Sequence, residues 1–338
     1  MPGLRPGDEL LARTARVIGI ALMVAGFAVA LDGLDRSPSS FTGGRFWGFL
    51  FPVHLSFVSG CLLLAMAALL DGDRRRPDWA LGAAVLGIVV AVAFALKAAD
   101  ARVIWGRGED GFWGALYSLV SMMPFALLLA LPSLDRGRPL GGPSTWGVAA
   151  GVAVTLAAIG VGIHAAGQDP FGGFWSFFNA ALTPFALGSL LVMTSLPLDT
   201  PTRFLRPSAG AVAAVVLIAG TGYVIDFVGQ FDLEEVEWFV ISNVSARVAL
   251  ALLILAAIGA TRVQFVLPVA FLTGLAATAY SIRMMTAGDV DFNLVIFVYI
   301  VLNGLVIPML AVLCASIGGD RSGERGQLSE SASPSAVP

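Results

Sequence analysis

Long apolar runs recur along the whole chain and are separated by short segments rich in Gly, Pro, Asp and Arg. A helix needs about 20 predominantly apolar residues to cross the hydrocarbon core of a bilayer. We therefore predict ten membrane-spanning helices, at 15–32, 46–70, 79–98, 112–132, 145–165, 174–196, 209–228, 238–260, 263–284 and 292–317. The connecting segments are too short to hold a folded soluble domain, so residues 1–317 are predicted to form a single polytopic transmembrane domain.

The ten predicted spans fall into five similar hairpins. The even-numbered spans open with aromatic residues, four of them with a pair: Phe46-Trp47, Phe112-Trp113, Phe174-Trp175 and Trp238-Phe239. Basic turns such as DRRRP and DRGRP follow the second helix of a hairpin. This recurrence predicts five tandem helical-hairpin repeats, at roughly 15–70, 79–132, 145–196, 209–260 and 263–317. Since every hairpin would insert in the same direction, the repeats are parallel rather than inverted.

The placement of arginine predicts the orientation in the membrane. The loops of one side hold only Arg36, Arg45, Arg102 and Arg107, whereas most other arginines lie in the N-terminal segment, the opposite loops and the C-terminal tail. Because cytoplasmic loops carry an excess of basic residues, both the N and the C terminus are predicted to be cytoplasmic. The polar, Ser- and Gly-rich segment 318–338 is predicted to be a disordered cytoplasmic tail.

Composition excludes several classes of protein. Hydrophobic residues make up 57% of the chain and charged residues 13%, with a mean hydropathy of +0.85, whereas a soluble domain carries about 25% charged residues. No basic stripe is present, so nucleic acid is not an expected partner. Lysine is nearly absent while Ala, Gly and Arg abound, which indicates a GC-rich bacterial genome and a place in the bacterial cytoplasmic (inner) membrane. Cys61 and Cys314 lie in apolar runs and are predicted to be buried thiols.

Each odd-numbered span ends with one ionisable residue in a similar local frame. In chain order these residues are Asp32, Lys97, His164, Asp226 and Arg283. Two explanations remain open for them. A charged side chain in the last turn of a span can extend to the lipid headgroups at modest cost. Alternatively, the five groups form a ring of paired charges at the outer mouth of the bundle and belong to a site for a substrate or an ion.

Arg247 is the charge that lies deepest in an apolar span. It follows the start of the eighth span by about ten residues, which places it near mid-bilayer at 1.5 Å per residue. An arginine there costs about 2.5–3.5 kcal/mol, so it should face the protein interior and have a partner. Asn243 lies one turn earlier on the same helix face, and Asp226 is the acidic candidate on the preceding helix. A structural clamp and a binding-site arginine both fit this pattern.

Candidate chemistry beyond these polar groups is sparse. His54 and His164 have no ligands at metal-binding spacing beside them, so neither a metal nor another cofactor is expected. No nucleophile–base pair or phosphate-binding loop is visible, and no catalytic residue is predicted; we therefore expect the protein not to be an enzyme. Prolines interrupt four of the five even spans, as is common where helices line transporter sites.

These patterns favour a multi-pass protein in a lipid bilayer that acts as a small transporter or permease-like protein. Its partner would be a small solute or ion bound at a polar intramembrane site. A non-catalytic scaffold or subunit that binds a membrane-protein partner through its helix faces is the alternative. An intramembrane enzyme ranks third.

Overall fold

The computed structural model describes residues 6–36, 45–71, 77–100, 111–131, 144–168, 173–197, 200–230, 236–287 and 294–331. Over these ranges the chain forms ten α-helices and no β-strand: α1 Pro6–Arg36, α2 Arg45–Leu70, α3 Asp78–Asp100, α4 Gly111–Ala130, α5 Thr145–Gln168, α6 Gly173–Ser195, α7 Thr202–Gln230, α8 Val236–Ala257, α9 Val263–Ala287 and α10 Leu294–Ser331. Every helix contains a segment long and apolar enough to cross a membrane. The predicted all-α, multi-pass membrane fold with ten spanning helices is confirmed.

The first and last helices extend well beyond their apolar runs. Helix α1 begins at Pro6, with Asp8 and Glu9 in its first turn, where negative charge complements the helix dipole. Helix α10 runs from the last apolar span to Ser331, and residues 332–338 lie outside the described part of the chain. The predicted disorder of the tail 318–338 stays a prediction.

The ten helices form two concentric rings. Each even helix contacts the next even helix, and α10 returns to contact α2, which closes an inner ring of α2, α4, α6, α8 and α10. Each odd helix packs between two even ones: α1 lies between α10 and α2, and α7 lies between α6 and α8. No two odd helices contact each other within the described residues. The most extensive contacts join the two helices of each predicted hairpin.

The exposure of large apolar side chains also differs between the outer and the inner helices. Most exposed large apolar side chains belong to the outer, odd helices, as with Val17 on α1, Val89 on α3 and Phe271 on α9. These surfaces face the hydrocarbon of the bilayer, where apolar exposure is favourable. The buried core is built mainly from the C-terminal halves of the inner helices, and both cysteines, Cys61 and Cys314, are buried in it as predicted.

The burial of the inner helices changes along their length. The C-terminal halves of their membrane-spanning segments are largely buried, as in 186–191 of α6 and 308–317 of α10. In contrast, 173–179 of α6, 240–248 of α8 and 294–305 of α10 contain no buried residue. In α6, α8 and α10 the N-terminal part of the span is therefore less tightly packed than the C-terminal part, whereas α2 also has buried residues near its N-terminal end, among them His54 and Ser56.

Close helix approach depends on small residues. A Cβ atom at Gly60 of α2 would lie 2.7 Å from the carbonyl oxygen of Gly19 in α1, and one at Gly151 of α5 would lie 2.8 Å from that of Gly188 in α6. Such contacts leave no room for a side chain and let the two backbones touch, as is usual between membrane helices. The aromatic pairs at 112–113 and 174–175 lie in the first turns of α4 and α6, whereas the side chains of those at 46–47 and 238–239 lie outside the described part.

Candidate functional site

Arg247 crosses from α8 to α6. Its Nη1 atom donates a hydrogen bond to Oγ1 of Thr183 over 2.8 Å. Its Nε atom is buried and has no hydrogen-bond partner among the described residues. The guanidinium is thus held inside the bundle by a neutral hydroxyl, and its buried Nε–H group has no acceptor among the described residues.

The outer helix α7 makes room for this arginine. A Cβ atom at Gly220 would lie 2.8 Å from Cγ and 3.0 Å from Cδ of Arg247, so the aliphatic stem of the arginine packs directly against the α7 backbone. Tyr223, less than one turn further along α7, interacts electrostatically with the guanidinium. The arginine therefore lies where three helices meet, with α6 and α8 from the inner ring and α7 from the outer ring.

Helical geometry shows which face of α6 carries Thr183. Ala181 lies beside Gly162 of α5, and Leu182 lies beside Gly220 of α7, so these two positions face the outer ring. Successive residues of an α-helix are about 100° apart. The next step places Thr183 on the face turned away from the outer helices and toward the axis of the inner ring. The hydrogen bond to Thr183 therefore draws the guanidinium of Arg247 toward that axis.

Asn243 and Asp226 were predicted to accompany Arg247; Asn243 lies on the same helix, α8, and Asp226 lies on the neighbouring helix α7. Asn243 is half-buried one turn before Arg247 on α8, so it shares the same helix face. Asp226 is half-buried on α7, six residues beyond Gly220, which is about 9 Å along the helix axis. The hydrogen-bond partner that the structure gives Arg247 is Thr183 rather than Asp226. An ion pair between Arg247 and Asp226 stays a prediction.

The five helix-end groups are distributed around the outer ring. Each lies on a different odd helix and is half-buried: Asp32 on α1, Lys97 on α3, His164 on α5, Asp226 on α7 and Arg283 on α9. Since the odd helices do not contact each other in the described part of the chain, the fold spaces these groups apart instead of gathering them at Arg247. His164 stacks on Trp113 of α4, with ring centroids 4.8 Å apart and the rings 9° from parallel.

Two other polar contacts join neighbouring helices of the inner ring. Tyr299 of α10 and Ser56 of α2 are linked by a side-chain hydrogen bond, and Ser56 also donates to the carbonyl oxygen of Pro52 over 2.7 Å. His54 of α2 hydrogen-bonds to the backbone of Met122 in α4. Its Nε2 atom has no partner within the described residues. These contacts are uncharged hydroxyl, imidazole and carbonyl interactions in an otherwise apolar packing.

Sequence reasoning missed Thr183 and Tyr223. Both are common residues in membrane helices, and neither has a distinctive spacing. Two signals were nevertheless present. Thr183 immediately precedes Pro184 in α6, and Gly220 and Gly222 precede Tyr223 in the segment AGTGYVID. A glycine pair in an outer helix indicates that neighbouring side chains approach its backbone closely.

Comparison with known proteins gives one partial similarity. The chain is 33% identical over 111 residues to an apolipoprotein N-acyltransferase of Rhizobium leguminosarum bv. trifolii, a match that covers 30% of this chain and 20% of that protein. The match thus spans one fifth of the length of that relative. No protein-family model matches the chain. No solved structure matches it.

Proposed function

We propose that the protein is a small transporter or permease-like protein that moves a small anionic solute across a bacterial cytoplasmic membrane, and that it is not an enzyme. Arg247 carries this proposal. A positive charge inside a membrane bundle is expensive and is usually placed at a functional site. Here its hydrogen-bond partner is a neutral hydroxyl, so an anion that enters the site gains a favourable charge interaction.

The two halves of the inner ring support the same proposal. The half-buried N-terminal parts of α6, α8 and α10 carry polar side chains, among them Ser176, Asn243 and Asn303. The buried C-terminal parts are dominated by aliphatic residues such as Leu190 and Leu310. A polar entrance on one side and an apolar seal on the other are what a transporter needs in one of its two alternating states.

Transport is tested by reconstituting the protein into proteoliposomes and recording currents after concentration jumps of small carboxylates, inorganic phosphate, sulfate and chloride. We expect at least one anion to drive a saturable current. Arg247→Gln, which removes the charge but keeps a polar side chain, should abolish that current in protein that inserts and purifies normally. Arg262→Gln is the matched control, because Arg262 is exposed in the turn between α8 and α9.

Entry into the inner ring is tested separately with introduced cysteines. Asn303→Cys in the half-buried part of α10 should react with a membrane-impermeant maleimide, and Leu310→Cys in the buried part should not. The native cysteines are buried and give a low background. An Arg247→Gln variant with a normal current, or a wild-type protein that passes none of the anions, would contradict transport. In that case the scaffold hypothesis, tested by co-purification of a partner subunit, takes its place.

A further inference from the structure

Arg247 uses one N–H group of its guanidinium, on Nη1, for a hydrogen bond, whereas its Nε–H group has no acceptor within the described residues. Nη1 donates to Thr183. In an arginine side chain the Nε–H bond and one N–H bond of Nη2 lie on the same side and point in parallel, forming a fork of two donors. Nε is buried and has no hydrogen-bond partner among the described residues, and the hydrogen bond to Thr183 comes from Nη1 rather than from Nη2. The hydrogen bond to Thr183 therefore leaves the Nε–Nη2 fork intact.

We infer that this fork binds the carboxylate of a small monocarboxylic acid. The inference rests on the proposed function, since it names the class of anion that the site would take. The two oxygens of a carboxylate match the spacing of two parallel N–H donors, and such bidentate pairs are among the strongest hydrogen-bonded contacts in proteins. A carboxylate would also satisfy the buried Nε–H group, which is otherwise costly to leave unpaired.

Charge balance favours a monoanion. One guanidinium compensates one negative charge, and the groups beside it, the hydroxyl of Thr183 and the phenol of Tyr223, are uncharged. A divalent anion such as hydrogen phosphate would bring a second charge into the bundle, where an uncompensated charge is strongly disfavoured. Chloride is monovalent, but a single spherical ion cannot accept two parallel hydrogen bonds along their axes. A monocarboxylate meets both the charge and the geometry.

The test uses the full chain in lipid nanodiscs and measures the binding of acetate, lactate, pyruvate and benzoate by saturation-transfer NMR. At least one of these acids should bind saturably, and neither phosphate nor chloride at equal concentration should displace it. Arg247→Lys keeps the positive charge but lacks the two-donor fork. Loss of one of two charge-assisted hydrogen bonds should weaken binding by about tenfold or more. Arg262→Lys, the same change at an exposed position, should bind as the wild type does.

Three results would overturn the inference: no saturable binding of any of the four acids, displacement of the bound acid by phosphate or chloride, or equal affinity in the wild type and Arg247→Lys. If Arg247→Lys does not fold, the competition on the wild-type protein decides alone. Failure of the proposed function looks different. If a carboxylate binds but no anion drives a current, transport is contradicted and the carboxylate site is still supported. If an anion current depends on Arg247 but the protein binds no carboxylate, the carboxylate site is contradicted and transport is still supported.

Discussion

Replacing Gly220 with alanine should displace Arg247. The added methyl group would lie 2.8 Å from Cγ and 3.0 Å from Cδ of the arginine, and 3.2 Å from Cδ2 of Leu182. Carbon atoms pack favourably at about 3.5–4.0 Å, so the arginine stem must retreat by roughly 1 Å. A retreat of that size stretches the 2.8 Å bond from Nη1 to Thr183 beyond the upper limit of about 3.2 Å for an N–H···O hydrogen bond.

The expected cost follows from these two effects. Overpacking costs about 1–3 kcal/mol, and loss of a hydrogen bond from a charged donor costs about 1.5–3 kcal/mol. An alanine in a helix interior is itself favoured over glycine by about 0.5–1 kcal/mol. The effects are not additive, because the retreat that breaks the hydrogen bond also relieves the overpacking. We therefore expect Gly220→Ala to lower the free energy of unfolding by about 2–4 kcal/mol.

The assay is SDS-induced unfolding in mixed micelles, followed by circular dichroism. The matched control is Gly210→Ala on the same helix, where a Cβ atom would have no neighbour within 4 Å. This control should be unchanged or more stable by up to about 1 kcal/mol. If Gly220→Ala proves as stable as Gly210→Ala, Arg247 does not pack against α7, and the site described at this three-helix junction is incorrect.

Three further predictions concern the same fold. Thr183→Val should lower the free energy of unfolding by about 1–3 kcal/mol, because it leaves Nη1 of Arg247 unpaired. Thr183→Ser keeps the hydroxyl and should retain most of the wild-type stability; unfolding in mixed micelles measures both variants. Gly60→Ala should separate α1 from α2 and lower the unfolding midpoint, whereas Gly82→Ala, which meets open space, should not. Arg262→Cys should react with an impermeant maleimide only from the cytoplasmic side of oriented membrane vesicles; labelling from the opposite side would reverse the predicted topology.

Much of the fold follows from hydropathy and length, because a bilayer leaves a chain few options. Every backbone polar group must be satisfied within the membrane, so each apolar run of sufficient length becomes a helix. The arrangement of the helices in two rings was harder to predict from the sequence. Its signal is present in the depth at which prolines occur. Pro52, Pro124, Pro184 and Pro308 lie well inside even helices, whereas Pro207 and Pro268 are only the sixth residues of the odd helices α7 and α9. A proline deep in a helix is tolerated best where neighbouring helices cover the freed backbone groups.

The site was predictable only in part. Arg247 stood out because an arginine inside an apolar span is expensive wherever it lies. Its partner was not predictable, because the sequence places Asp226 closer in the chain than Thr183 and contains no information on how the inner helices are rotated about their axes. The five helix-end groups shared a sequence frame, but a common frame fixes only their depth. Their separation around the outer ring depends on the packing of even helices between them.

Glycines of the outer helices recur beside the polar contacts of the inner ring. Gly26 of α1 lies against Ser56, Gly87 of α3 lies near His54, and Gly220 of α7 lies against Arg247. At each of these junctions the outer helix lacks a side chain, which lets a polar group of an inner helix fit at the point where three helices meet. Two of these three groups are uncharged hydrogen-bonding side chains of the kind that hold membrane helices together. Only at the α6–α7–α8 junction is the accommodated group a permanent cation, so packing alone explains the first two junctions but not the third.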